Sequence, residues 1–163
     1  MQLRKLVAFA TVVAAAAVMA VPAGAHTPQP TTAKVVGPVV IDKKDPTIAY
    51  LKAKYRCTGE GTLWISVKQT AARTKDPALT QEGSSSVSAA WSMSHRNAVI
   101  CDGKAHFGHF VVDQVETSQF GIPPAPLKKG WGWVQFCLFD ANYPESEDES
   151  AMPFINDGFH AVR

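Results

Sequence analysis

The sequence predicts an all-β fold, an antiparallel sandwich of about seven short strands, and three observations carry that expectation. Beyond residue 25 no segment keeps helical periodicity over three turns. Several runs instead alternate apolar and polar residues with the period of two that a half-buried strand requires. Turn signals built from Gly, Pro, Asn and Asp separate these runs. Strands that follow one another without an intervening helix must bury their apolar faces on another sheet, which gives a sandwich or a barrel.

The first 25 residues stand apart from this pattern. Arg4 and Lys5 precede an apolar run from Leu6 to Val21, followed by Pro22 and the small residues Ala23-Gly24-Ala25. That is the layout of a secretory signal peptide with an A-x-A type cleavage site, so the chain is expected to be secreted with His26 as its first mature residue. The run is short for a membrane span, and no second apolar stretch of spanning length follows. Neither a cysteine at the cleavage point nor an apolar C-terminal tail offers a lipid anchor.

The remainder is of ordinary single-domain size, large enough for a core of its own. The full chain carries 16 basic and 14 acidic residues, a formal charge of +2, and Arg4 and Lys5 account for that excess. With a neutral mature chain and no basic run longer than Lys43-Lys44, composition makes no electrostatic case for nucleic acid or an anionic membrane. Three cysteines remain, Cys57, Cys101 and Cys137. An oxidising destination makes a disulfide between two of them the expectation, with one left over.

Residues 26–34, rich in Pro and Thr, have little to bury and read as a flexible leader before a domain spanning 35–163. Val35 to Ile41 is β-branched but interrupted by Gly37-Pro38, which suits an edge strand because proline has no ladder donor. After the turn Asp42 to Pro46, Ile48 to Cys57 places Ala49, Leu51, Ala53, Tyr55 and Cys57 on one face, opposite Lys52, Lys54 and Arg56. Leu63, Ile65 and Val67 then alternate with Trp64, Ser66 and Lys68, and the short link Gly59-Glu60-Gly61 predicts a hairpin between these two strands.

Ala71 to Ser86 reads as a long loop, and Val87 to Ser94 as a weak strand with Val87, Ala89 and Trp91 on one side. The turn Cys101-Asp102-Gly103 leads into a strand from His106 to Val115. Pro123, Pro124 and Pro126 make Gly121 to Lys129 a loop. Trp131 to Phe139 is apolar on both faces, with Trp131, Trp133 and Cys137 on one and Val134, Phe136 and Leu138 on the other. Such a run is a central strand buried on both sides, or one whose outer face is adhesive. Asp140 to Pro153, with Glu145 to Glu149, reads as an acidic loop, and Gly158 to Arg163 as the last strand.

Connections of very unequal length favour an immunoglobulin-like sandwich over a barrel. From Ile48 to Phe139, the order Tyr55-x-Cys57-x-Gly59, Val67-Lys68-Gln69, Cys101-Asp102-Gly103-x-x-His106 and Lys129-Gly130 resembles a family of secreted actinobacterial immunoglobulin-like domains of unknown function. The resemblance implies the sandwich and a Cys57–Cys101 bridge, and it brings no activity with it. Gly108 stands where that pattern has an aromatic residue. In an immunoglobulin-like arrangement Cys57 ends a strand beside the start of the one after Cys101, within disulfide reach. The alternative pairing, Cys57 with Cys137, is the inter-sheet bridge of antibody-type domains.

Cys101, His106, His109 and His95 are metal-ligand types. However, positions 106 and 109 of a strand face opposite ways, and a bridged cysteine is no ligand. The run Glu145 to Glu149 lacks the ligand spacing and turn glycine of a Ca²⁺ loop. No nucleophile elbow, zinc-protease helix or thiol-hydrolase signature occurs, and nothing recommends a cofactor, so the sequence reads as non-catalytic. The pattern that points toward function is aromatic: Trp64, Trp131 and Trp133 are expected to pack in the core, since large aromatics dominate sandwich interiors, and if exposed instead they would form a platform for a protein or polysaccharide ligand. The sequence thus predicts a secreted binding module at the cell envelope or outside the cell. A small secreted hydrolase or enzyme inhibitor, working through the loops Ala71 to Ser86 and Gly121 to Lys129, is the alternative.

Overall fold

The computed structural model describes residues 30–81, 84–115, 125–142 and 154–163. They form nine strands: β1 (Thr32–Val35), β2 (Val40–Ile41), β3 (Ala49–Arg56), β4 (Thr62–Gln69), β5 (Ala90–Ser94), β6 (His106–Val112), β7 (Gln114–Val115), β8 (Gly130–Phe139) and β9 (Phe154–Val162). Two short 3-10 turns, Pro77–Thr80 and Ser84–Val87, interrupt the long β4–β5 loop. In a four-stranded sheet, β6 pairs along one edge of β3, while β1 and β2 lie end to end along the other. The second sheet has the order β7-β5-β4-β8-β9, and the strands of both sheets pair antiparallel.

The fold is therefore the antiparallel β-sandwich that the alternation predicts. Nine strands replace about seven because two of the expected ones are divided. The run Val35 to Ile41 breaks at Gly37-Pro38, between β1 and β2. The run His106 to Val115 breaks at Asp113, where β7 leaves β6 and joins the opposite sheet on β5. β1 also starts at Thr32, within the stretch read as a leader, because Thr32 to Val35 pair with Arg56 to Ala53. The expected signal peptide, the leader up to residue 29, Pro123, Pro124 and the acidic run Glu145 to Glu149 lie outside the described residues.

Alternation decides the core. Leu51, Ala53, Tyr55, Phe110 and Val112 from one sheet meet Leu63, Ile65, Val67, Val134, Phe136 and Leu138 from the other in a single buried cluster. Phe136 is fully buried on a strand flanked by β4 and β9, with the Phe110 ring edge-on at 5.3 Å. Gly108 has a steric cause: it faces inward opposite Ala53, and a Cβ there would lie 2.3 Å from Phe110 Cζ. That ring is held between Tyr55 and Phe136, so the space an aromatic residue would need at position 108 is already filled.

One expectation fails. β3 and β4 do not form a hairpin; they belong to different sheets, and the link between them crosses the sandwich. Alternation identifies the buried face of each strand but not its edge partner, and here both strands find better partners elsewhere, β3 with β6 and β4 with β5 and β8. The crossing is fastened by the disulfide Cys57–Cys101, by the Thr58–Asp102 bridge, and by a buried carboxylate. Asp140, 4% exposed, accepts from the Thr31 hydroxyl, from Thr58 N at 2.9 Å and from Asn142 N at 2.9 Å. It thereby ties the start of β1, the β3–β4 link and the end of β8 together, and its burial is compensated by these charge-assisted bonds.

A second fastening joins the sheets at their edges. Val39 and Val162 form a parallel bridge, with Val39 N donating to Ala161 O, Arg163 N to Val39 O and Ile41 N to Arg163 O. Among the described residues no helix is long and apolar enough to cross a membrane.

Candidate functional site

Residues paired directly across antiparallel strands point to the same face. Lys68 of β4 stands opposite both Trp91 of β5 and Trp133 of β8, while Trp64 stands opposite Cys137. Trp131, two residues before Trp133, shares that face. All four tryptophans of the chain thus lie on the outer face of the five-stranded sheet. The three named from the sequence are brought together on it. Trp91 was missed as their companion, although the parity of Trp91 and Met93 on β5 carries the signal.

The face is not uniformly open. Trp91 is buried, and its indole N–H donates to Ser66 Oγ of β4 at 3.1 Å. Lys68 is buried beside it, with Nζ 4.9 Å from the Trp91 ring and donating to Ser84 Oγ at 3.1 Å. A lysine can be held this way because the ring and hydroxyl replace part of its lost hydration. Trp131 is 37% exposed, and Lys75 Nζ lies over its ring at 4.0 Å. Trp133 and Trp64 are half-buried, the first edge-on to Phe159 at 5.0 Å and the second stacked on His95 at 5.9 Å. The Trp64 indole N–H has no acceptor among the described residues. An exposed ring, a cation above it and two further rings in the same sheet can hold a flat apolar ligand surface and a polar or anionic group beside it.

The cysteines resolve on geometry. Cys57 and Cys101 are bonded, with Cα atoms 4.4 Å apart. Cys137 is buried but lies on the outer face opposite Trp64, turned away from the inward-facing Cys57, so the inter-sheet alternative has no path. Parity likewise separates the histidines: His106 is level with Tyr55 on the inner face of its sheet, and His109 with Lys52 on the outer.

His106 instead braces the disulfide corner. Its Nε2 is 2.8 Å from Asp102 Oδ1, and that same oxygen accepts from Lys104 N at 2.9 Å. These two bonds, the His106 contact first, hold the Asp102 carboxyl below its usual range. A carboxyl with a lower pKa folded than unfolded adds stability above its unfolded value, and that contribution is lost as pH falls through the folded value. Asp102→Asn is therefore expected to lower the denaturation midpoint at neutral pH and to leave it nearly unchanged well below pH 3.8. Denaturant titrations across that range check it; equal losses at both ends would contradict it.

Between the β4–β5 loop and residues 125–128 lies a shallow depression bordered by Gln69, Thr70, Arg73 and Lys128. The Gln69 amide is fully engaged there, donating to Lys128 O and Trp131 O and accepting from Lys128 N. Arg73 and Lys128 are the basic residues among its described lining. The chain matches no protein-family model and no curated protein.

Proposed function

We propose that this protein is an exported, non-catalytic immunoglobulin-like module that binds a polysaccharide or protein ligand at the cell envelope or outside the cell. The observation that carries the reading is Trp131, an exposed tryptophan with a lysine over its ring, set two residues before Trp133 on a strand that lies between β4 and β9. Tryptophan is among the residues that supply most binding energy when a partner covers them. Export is supported by the N-terminal layout and by the Cys57–Cys101 bond, which persists in oxidising compartments.

Trp131→Ala is the informative variant, because an exposed ring can be removed without opening the core. It is expected to weaken retention on isolated cell-wall material by about 2 kcal/mol, the scale of a hot-spot residue. Retention equal to that of the parent, with an unchanged unfolding midpoint, would count against this face as the binding surface.

A further inference from the structure

The opposite sheet carries a second surface that net charge conceals. β1, β2, β3 and β6 contain no Asp or Glu. Their outer face presents Lys34, Lys52 and Lys54, all exposed, with Arg56 continuing the row and His109 level with Lys52. Alternate residues of a strand are about 6.7 Å apart, so Lys52, Lys54 and Arg56 form a cationic row about 13 Å long. Lys34 stands directly opposite Lys54, and like charges so placed destabilise a sheet. Lysines on an edge strand can serve to block edge pairing. β3, however, is paired on both sides, so that role does not explain its lysines. Among the described residues none of the three lysines takes part in an ion pair.

Apolar groups are interleaved with these charges. Phe107 stands beside Lys54 and is 51% exposed; Tyr50 and Val40, paired with each other, are 42% and 46% exposed. Half of the exposed large apolar side chains described thus lie on this face. The Phe107 ring is edge-on to His109 at 5.7 Å, and the Tyr50 hydroxyl donates to the Asp42 carboxylate, so Phe107 is the apolar surface farther from an acidic group.

We infer that this face binds a carboxylated polysaccharide. The carboxylates of a linear chain of acidic sugars pair with the lysine row, while the C–H faces of its rings pack on Phe107 beside Lys54. The ligand also relieves the Lys34–Lys54 repulsion. The exported character proposed above decides for a glycan over a nucleic acid; the site itself is independent of the tryptophan face on the other sheet.

The test is isothermal titration of the full chain, after removal of its signal segment, with polygalacturonate. Fully methyl-esterified polygalacturonate, an unrelated single-stranded oligodeoxynucleotide and the Lys52→Gln, Lys54→Gln variant complete the set. Binding to the acid form is expected to fall steeply with added salt. It should disappear with the ester, weaken about tenfold in the variant and persist in Trp131→Ala. Loss through Trp131→Ala alone would place glycan binding on the other sheet and overturn this inference while sparing the proposed function. Absence of binding at low salt, equal binding of the ester, or tighter binding of the oligonucleotide with the same lysine dependence would also overturn it.

Discussion

Replacing both bridged cysteines, Cys57→Ser with Cys101→Ser, is expected to lower the free energy of unfolding by about 4 kcal/mol, a large share of what a domain of this size possesses. The bond joins positions 44 apart in sequence, and severing it returns the closure entropy of that segment to the unfolded chain. A second loss adds to the first. Gly61 packs so closely on the bridge that a Cβ would lie 2.2 Å from Cys101 Sγ, so the sulfurs fill the corner as well as tie it. Denaturant unfolding of the parent and the double variant checks the value. A difference under about 1 kcal/mol would mean that the Asp140 network and the Thr58–Asp102 bridge suffice to hold the crossing.

Phe136→Ala is expected to cost about 3–5 kcal/mol, the range for an aromatic ring removed from a well-packed interior. The ring is fully buried, sits on a strand paired along both edges, and supports Phe110, which in turn covers Gly108. Because neighbours on both sheets would have to move to close the space, the cavity should persist. The midpoint of unfolding should fall while its denaturant slope stays unchanged, the signature of lost stability without a change in cooperativity. A loss below about 2 kcal/mol would show that Phe110 collapses into the vacated volume.

How much of this was legible before the structure follows from what alternation encodes. The buried faces of β3 and β4 were readable, since a period of two leaves little choice once Leu51 and Ile65 must go inward, whereas β8 is apolar on both faces and its alternation does not say which one carries Phe136 into the core. The edge character of the Gly37-Pro38 segment was readable for the same local reason. The assignment of β3 and β4 to separate sheets was not, because a strand's pattern carries no record of its edge partner. Trp64 could be placed on the polar side of its strand, but the alternation left Trp131 and Trp133 either core or surface, and the bond from Lys68 to Ser84 depends on how a long loop returns. The cationic surface escaped for another reason. Its charges come from β1 and β3, part of it lay in a stretch read as leader, and a sum over the chain cancels them against acids located elsewhere.

The parallel contact of Val39 to Ile41 with Ala161 to Arg163 has a mechanical consequence. In a parallel pair, tension entering ahead of one segment and leaving behind the other pulls the two along their length in opposite directions. The three hydrogen bonds there are then loaded in shear and must yield together, whereas an antiparallel edge pulled from one end would unzip a bond at a time. Stretched between two attachments, the domain would resist up to a sharp rupture force instead of peeling open gradually.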